Sequence, residues 1–162
     1  MKTRYQGTRP FSVIVDTESK NLSLTKAPQD AQEKWYGDRA GLIFPIGHTF
    51  ATYLDQAQQA AWSASQTKKA RRFTARIAHA DLSYTMRFGV LNSYISYMNW
   101  AALRLTIFTI NENGDLNQLT LRREITVSAM EASSHGQDLA LTAAIQQLVL
   151  DYLDAVMRFA PM

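Results

Sequence analysis

Hydrophobic residues recur along this chain with two periods, and the switches between them mark out its elements. Phe11–Asp16 (FSVIVD) is apolar and β-branched, as a short buried strand would be. Asn21–Lys26 alternates, with Leu22 and Leu24 on one face, and predicts a second short strand. Residues 27–41 hold Pro28, Gly37 and Gly41 among mixed charges and read as loop. After Pro45 and Gly47 the period changes. Phe50, Leu54, Ala57 and Ala61 share one face of a helix, with Asp55, Gln58 and Gln59 away from it, and the helix fades by Ser63–Thr67.

The period then returns to two. Phe73, Ala75 and Ile77 alternate with polar residues, and so do Leu82, Tyr84, Met86 and Phe88. The phase slips between the two sets, which predicts a bulge near Ala78–Asp81. A long strand follows from about Ser93 to Ile110, with Leu103, Leu105 and Ile107 on one face. Asn113-Gly114 predicts a hairpin, either a two-residue turn or a somewhat longer loop. The returning strand puts Leu119, Leu121, Ile125, Val127 and Ala129 on one face, and Thr120, Arg122, Glu124 and Thr126 on the wet one. Arg123 interrupts the apolar series, so a bulge or a snorkelling side chain is expected there.

The last helix carries a continuous stripe of Leu141, Ile145, Leu148, Tyr152 and Val156. Ser134 and Gln137 have capping-box spacing, and Asp138 and Arg158 suit the helix dipole. From Gln137 to Phe159 it would run about 35 Å. The expected fold is α+β: an antiparallel meander of about four strands with two amphipathic helices packed on one face. Residues 1–10 (MKTRYQGTRP) read as a flexible tether and 11–162 as a single domain.

Composition then narrows the function. The 162 residues contain no Cys, which excludes a disulfide framework, an Fe–S cluster and a Cys-based zinc site. No apolar stretch looks long enough to span a bilayer, and no signal peptide is read. Residues 1–81 carry 12 basic against 7 acidic side chains, while residues 82–162 carry 5 against 7. The net charge of +3 is too small to argue for nucleic acid.

Catalytic chemistry finds little support. His79-Ala-Asp81 could share a site, since i and i+2 point the same way in a strand, but nothing nearby completes a metal site. There is no nucleophile elbow and no phosphate-cradling glycine loop. The expectation is therefore a non-enzyme without cofactor or metal. The alternative is a small-ligand-binding protein or enzyme with a pocket between sheet and helices, lined by His79, Asp81 and Tyr84.

Two features suit binding. Lys68, Lys69, Arg71, Arg72 and Arg76 put five cations in nine residues with no anion between them. Such a turn could draw lipid phosphate or an anionic glycolipid; the competing reading is a solvated turn that keeps a sheet edge from pairing. Nucleic acid is disfavoured because no aromatic pair interleaves the cluster. Tyr94, Met98 and Trp100 fall on the face opposite Leu103 and Leu105. Uncovered, this row would be a partner surface; alternatively the loop of residues 17–41, with Trp35 and Tyr36, folds over it.

The succession FSVIVD, TFATYLDQAQQAAW, RIAHADLSYTM, AALRLTIFTINENGDL, LTLRREITVSAM and LALTAAIQQLVLDYLDAVMRF resembles the YajG-type family of small bacterial outer-membrane lipoproteins over about residues 11–159. The resemblance implies a lipid anchor at the periplasmic face of the outer membrane, an envelope protein or anionic glycolipid as partner, and no catalytic residues. The family's leader and lipidated cysteine are absent from this chain. A chain beginning just after the lipidated residue would lack both, and so would a cytoplasmic protein.

Overall fold

The computed structural model describes residues 9–26, 42–68, 70–91, 94–129 and 134–159. In chain order these form β1 (Phe11–Val15), α1 (Thr17–Lys20), β2 (Leu24–Lys26), β3 (Leu42–Phe44), α2 (Ile46–Ala61), α3 (Ala64–Lys68), β4 (Arg71–Leu91), β5 (Tyr94–Asn111), β6 (Leu116–Ala129) and α4 (Ser134–Phe159). The main sheet has the order β1-β4-β5-β6, and β2 and β3 form a separate antiparallel pair. The α+β class stands. The whole stretch read as the 27–41 loop, residues 1–8 of the expected tether and the side chains of the Ser134/Gln137 cap lie outside the described residues.

One expectation about the sheet is corrected. β4, β5 and β6 form the antiparallel meander, but β1 runs parallel to β4, with Val13 opposite Phe73, so the sheet is mixed. The reason lies in the connection: α2 separates the two strands, and a helical crossover returns the chain to the same end of the sheet. The bulge expected near Ala78–Asp81 is present, as a register shift between Ile77 and His79. The hairpin takes the longer form. Gly114 N–H donates to Asn111 O, Asn111 N–H donates to Asp115 O, and Gly114 sits at φ +84°, where a Cβ would be strained.

The core lies on one face. Phe11, Val13 and Val15 of β1, Ala75 and Ile77 of β4, and Ala101, Leu103, Leu105 and Ile107 of β5 are buried against both long helices. From α2 come Ile46, Phe50, Leu54 and Ala57; from α4 come Leu141, Ile145, Leu148, Tyr152 and Val156. Each large side chain in these rows contributes about 1.5–3 kcal/mol on burial. Tyr152 crosses the core to bond Thr109 hydroxyl to hydroxyl at 2.8 Å. Burial pushes the phenol up to about 12, against the opposing effect of that bond, so it stays neutral.

Two further corrections concern the helices. Leu139–Phe159 is, by length and composition, long and apolar enough to cross a membrane, but here its apolar stripe is covered by the sheet. Gln58 does not sit away from the core. It is buried, accepts from Val13 N–H at 2.7 Å and donates to Val13 O at 3.0 Å. Its amide stands where a neighbouring strand's peptide would be. Arg123, in contrast, does as expected: its guanidinium turns from the apolar face to meet Asp151 on α4 through two bonds of 2.6 Å.

Candidate binding surface

The second face of the sheet follows from strand alternation. With Leu103, Leu105 and Ile107 turned to the helices, the even-numbered residues of β5 turn outward: Met98, Trp100, Ala102, Arg104, Thr106 and Phe108. Register sets Asp81 and Arg122 on either side of Arg104, and Glu124 beside Ala102. Met98 is 45% exposed, and Trp100 is partly buried. The indole N–H of Trp100 donates to Glu124 Oε1 at 2.8 Å, so the ring leans along the sheet, and Ala102 beside Glu124 is almost covered.

Polar contacts order the rest of this face. Arg104 Nη2 meets Asp81 Oδ2 at 2.9 Å, and Arg122 Nη2 lies 3.6 Å from Glu124 Oε2. All four side chains remain more than half exposed, so these pairs set positions more than they stabilise. Thr106 and Thr120 approach to 3.4 Å across β5 and β6. The result is a solvated sheet surface with an aromatic and a thioether at one end and a ladder of charges at its centre.

Met98 and Trp100 lie together and opposite Leu103 and Leu105, as expected from parity. The side chain of Tyr94, the third member of that row, lies outside the described residues, as does most of the loop offered as its cover. Arg104, Arg122 and Glu124 join the face although sequence reading gave them no role. The signal was present: they share even parity with Trp100 and Met98 on neighbouring strands.

The basic run is dispersed. Lys68 ends α3, Arg71 and Arg72 open β4, and Lys69 lies outside the described residues. Arg76 is not one of a cluster without anions: its Nε donates to Asp16 Oδ2 at 2.8 Å. Asp16 also caps α1 by accepting from Ser19 N–H at 2.8 Å. Partial burial raises the Asp16 carboxyl, but the bonds from Ser19 and the Arg76 guanidinium outweigh it and hold the group below its ordinary value. Arg71 and Arg72 border a cleft of about 400 Å³ with Glu112 and Asp115 on its other wall, so acidic groups face them too. Along β5 the stretch opposite Arg76 lies roughly 25 Å from Trp100. The run and the aromatic row are therefore separate places on one sheet.

His79 and Asp81 share a face, as i and i+2 should, but it is the outer one, in register with Thr106 and Arg104. They do not line a space between sheet and helices, because the bulge places them after the strand's phase shift and Asp81 is engaged by Arg104. The side chain of Tyr84 lies outside the described residues. Among the described residues no group of three metal-ligating side chains converges. A second cleft, about 570 Å³, lies outside β1, between Ser12–Ile14 and Asp55, Gln58 and Gln59 of α2, with Trp62 and Ser63 just beyond the helix end.

No family model matches the chain, and no curated protein does. In fold it is similar to solved bacterial lipoproteins. One is a minor lipoprotein from Acinetobacter baumannii, 8% identical, with 93% of each chain covered and a TM-score of 0.46. Another is a protein from Caulobacter crescentus CB15 described as a proposed lipoprotein, 16% identical, covering 72% of this chain and 87% of that one, with a TM-score of 0.42. Neither description names the YajG-type family. Likeness at this level carries no information about what the chain binds.

Proposed function

We propose that the chain is a non-enzymatic binding or assembly module of the bacterial envelope, held at the periplasmic face of the outer membrane by an N-terminal lipid anchor. It engages a partner through the outer face of its sheet. The observation that supports this reading is the division of labour between the two faces. One is filled by both long helices, while the other keeps Met98, Trp100 and the Asp81–Arg104, Arg122–Glu124 pairs at the surface. A partly buried aromatic beside an exposed thioether and ordered, solvated charges is a composition suited to a protein partner. Lys68, Arg71 and Arg72, at the other end of the sheet, would face anionic headgroups if the anchor holds that end to the membrane.

The test places a photo-crosslinking amino acid at Met98 and, separately, at Asp55 on the exposed side of α2. Discrete adducts in envelope extract from position 98 alone, abolished by Trp100→Ala with Tyr94→Ala, are expected. Equal recovery of adducts by wild type and that double variant removes the aromatic row from the function.

A further inference from the structure

The main sheet ends at β6 among the described residues, and this border is 14 residues long. The hairpin fixes which backbone groups point outward. Asn111 N–H donates to Asp115 O, and the β5–β6 register is unbroken from there. The N–H and C=O groups of the odd residues of β6 therefore turn toward β5, and those of Thr120, Arg122, Glu124 and Thr126 turn to the other border, where no strand pairs among the described residues. On the helix side, Leu119, Leu121, Ile125 and Val127 are only partly buried.

The strand is complementary to itself about Arg123. Laid antiparallel against an identical strand with Arg123 on the two-fold axis, Arg122 meets Glu124 of the second copy and Glu124 meets its Arg122. On the same face Thr120 meets Thr126. On the helix side Leu121 meets Ile125 and Leu119 meets Val127, completing the half-covered aliphatic row. The smallest slides that preserve the faces, two residues either way, oppose Arg122 to Arg122 or Glu124 to Glu124, and like charges directly opposite are unfavourable. The two copies of Arg123 meet across the axis, each already neutralised by its paired bonds to Asp151.

From this we infer that the β6 border binds a second copy of this chain, in that register, joining two four-stranded sheets into one. About a dozen backbone hydrogen bonds would close the border. The inference does not depend on the partner proposed for the outer face.

Sedimentation of the full chain at about 100 µM tests it, with a circular dichroism check of each variant's fold. A species of twice 18.3 kDa is expected for wild type. Arg122→Glu and Glu124→Arg each place two like-charge pairs across the axis and should weaken association about tenfold or more. An equimolar mixture of the two single variants restores it, as does the double reversal, because both re-create opposite-charge pairs. The chain has no native cysteine, so Thr120→Cys with Thr126→Cys gives an independent readout. These positions sit at a spacing of about 5.5 Å in the proposed pair, and mild oxidation should link the copies covalently. A monomeric wild type overturns the inference. So does a dimer indifferent to the reversals and unlinked by the cysteines, which would assign association to another surface.

Discussion

β1 and β6 both border the sheet, but their exposed edges are treated differently. At β1, Gln58 reaches from α2 and satisfies both the N–H and the C=O of Val13. The strand is five residues long, and a single side chain covers the centre of its edge. At β6 the strand is nearly three times as long, and its helix-side aliphatics stay partly exposed. Its device is Arg123, a charge turned to the helix side and held by Asp151. A side-chain amide can imitate a strand only locally, so a short edge can be closed from within. A long edge can only be made selective about what pairs with it.

The largest effect expected on this contrast comes from Gly47, which lets the start of α2 close on the α1 turn that follows β1. A Cβ at Gly47 would fall 1.6 Å from Ser19 O, and the Gly47 N–H donates to Leu22 O at 3.0 Å. Gly47→Ala must push the start of α2 off the α1 turn, and Gln58 moves with the helix. The expected loss is about 3 kcal/mol or more in urea unfolding. A loss below about 1 kcal/mol would mean that the helix entry is soft and that β1 is closed by something other than this approach.

Gln58→Leu isolates the closure itself. Leucine keeps the volume but leaves a buried donor and acceptor on Val13 without their partners. We expect a loss of about 2–3 kcal/mol, with faster hydrogen exchange at Val13 N–H. Stability unchanged within about 0.5 kcal/mol would place water on that edge and remove the contrast with β6.

These residues also show how far the sequence could be read. The alternation of β4 to β6 and the stripe of α4 were legible because each records burial on one face, and the helix-backed α+β plan follows from them. The parallel placement of β1 was not legible in FSVIVD, whose pattern is the same in either direction; the helix between it and the next strand was the available clue. Gln58 was misplaced because a polar residue on a helix normally marks the wet side. Here it is buried because its partner is backbone, which leaves no trace in side-chain hydropathy. Arg76 was read as one of a run without anions because its anion, Asp16, lies 60 positions earlier. On the outer face, parity alone placed Met98 and Trp100, while the contact to Glu124 depends on the strand register.

The smallest change in stability, and the sharpest test of the β6 side, is expected from Arg123→Leu. The Arg123–Asp151 pair is bidentate but partly exposed, so its loss is worth about 1 kcal/mol or less, and leucine would recover part of that by packing beside Leu121 and Ile125. Association should move the other way. With Arg123 gone, the helix side of β6 reads as aliphatics from Leu119 to Val127, and no like charges meet on the axis of the proposed pair. The variant should therefore associate at lower concentration than wild type, still as a dimer because β1 is closed by Gln58, read by light scattering while urea unfolding shifts little. Unchanged association at unchanged stability would mean that the inward charge does not govern the open edge. The strength of association would then be set by Arg122, Glu124 and the aliphatic row, without the charge on the axis.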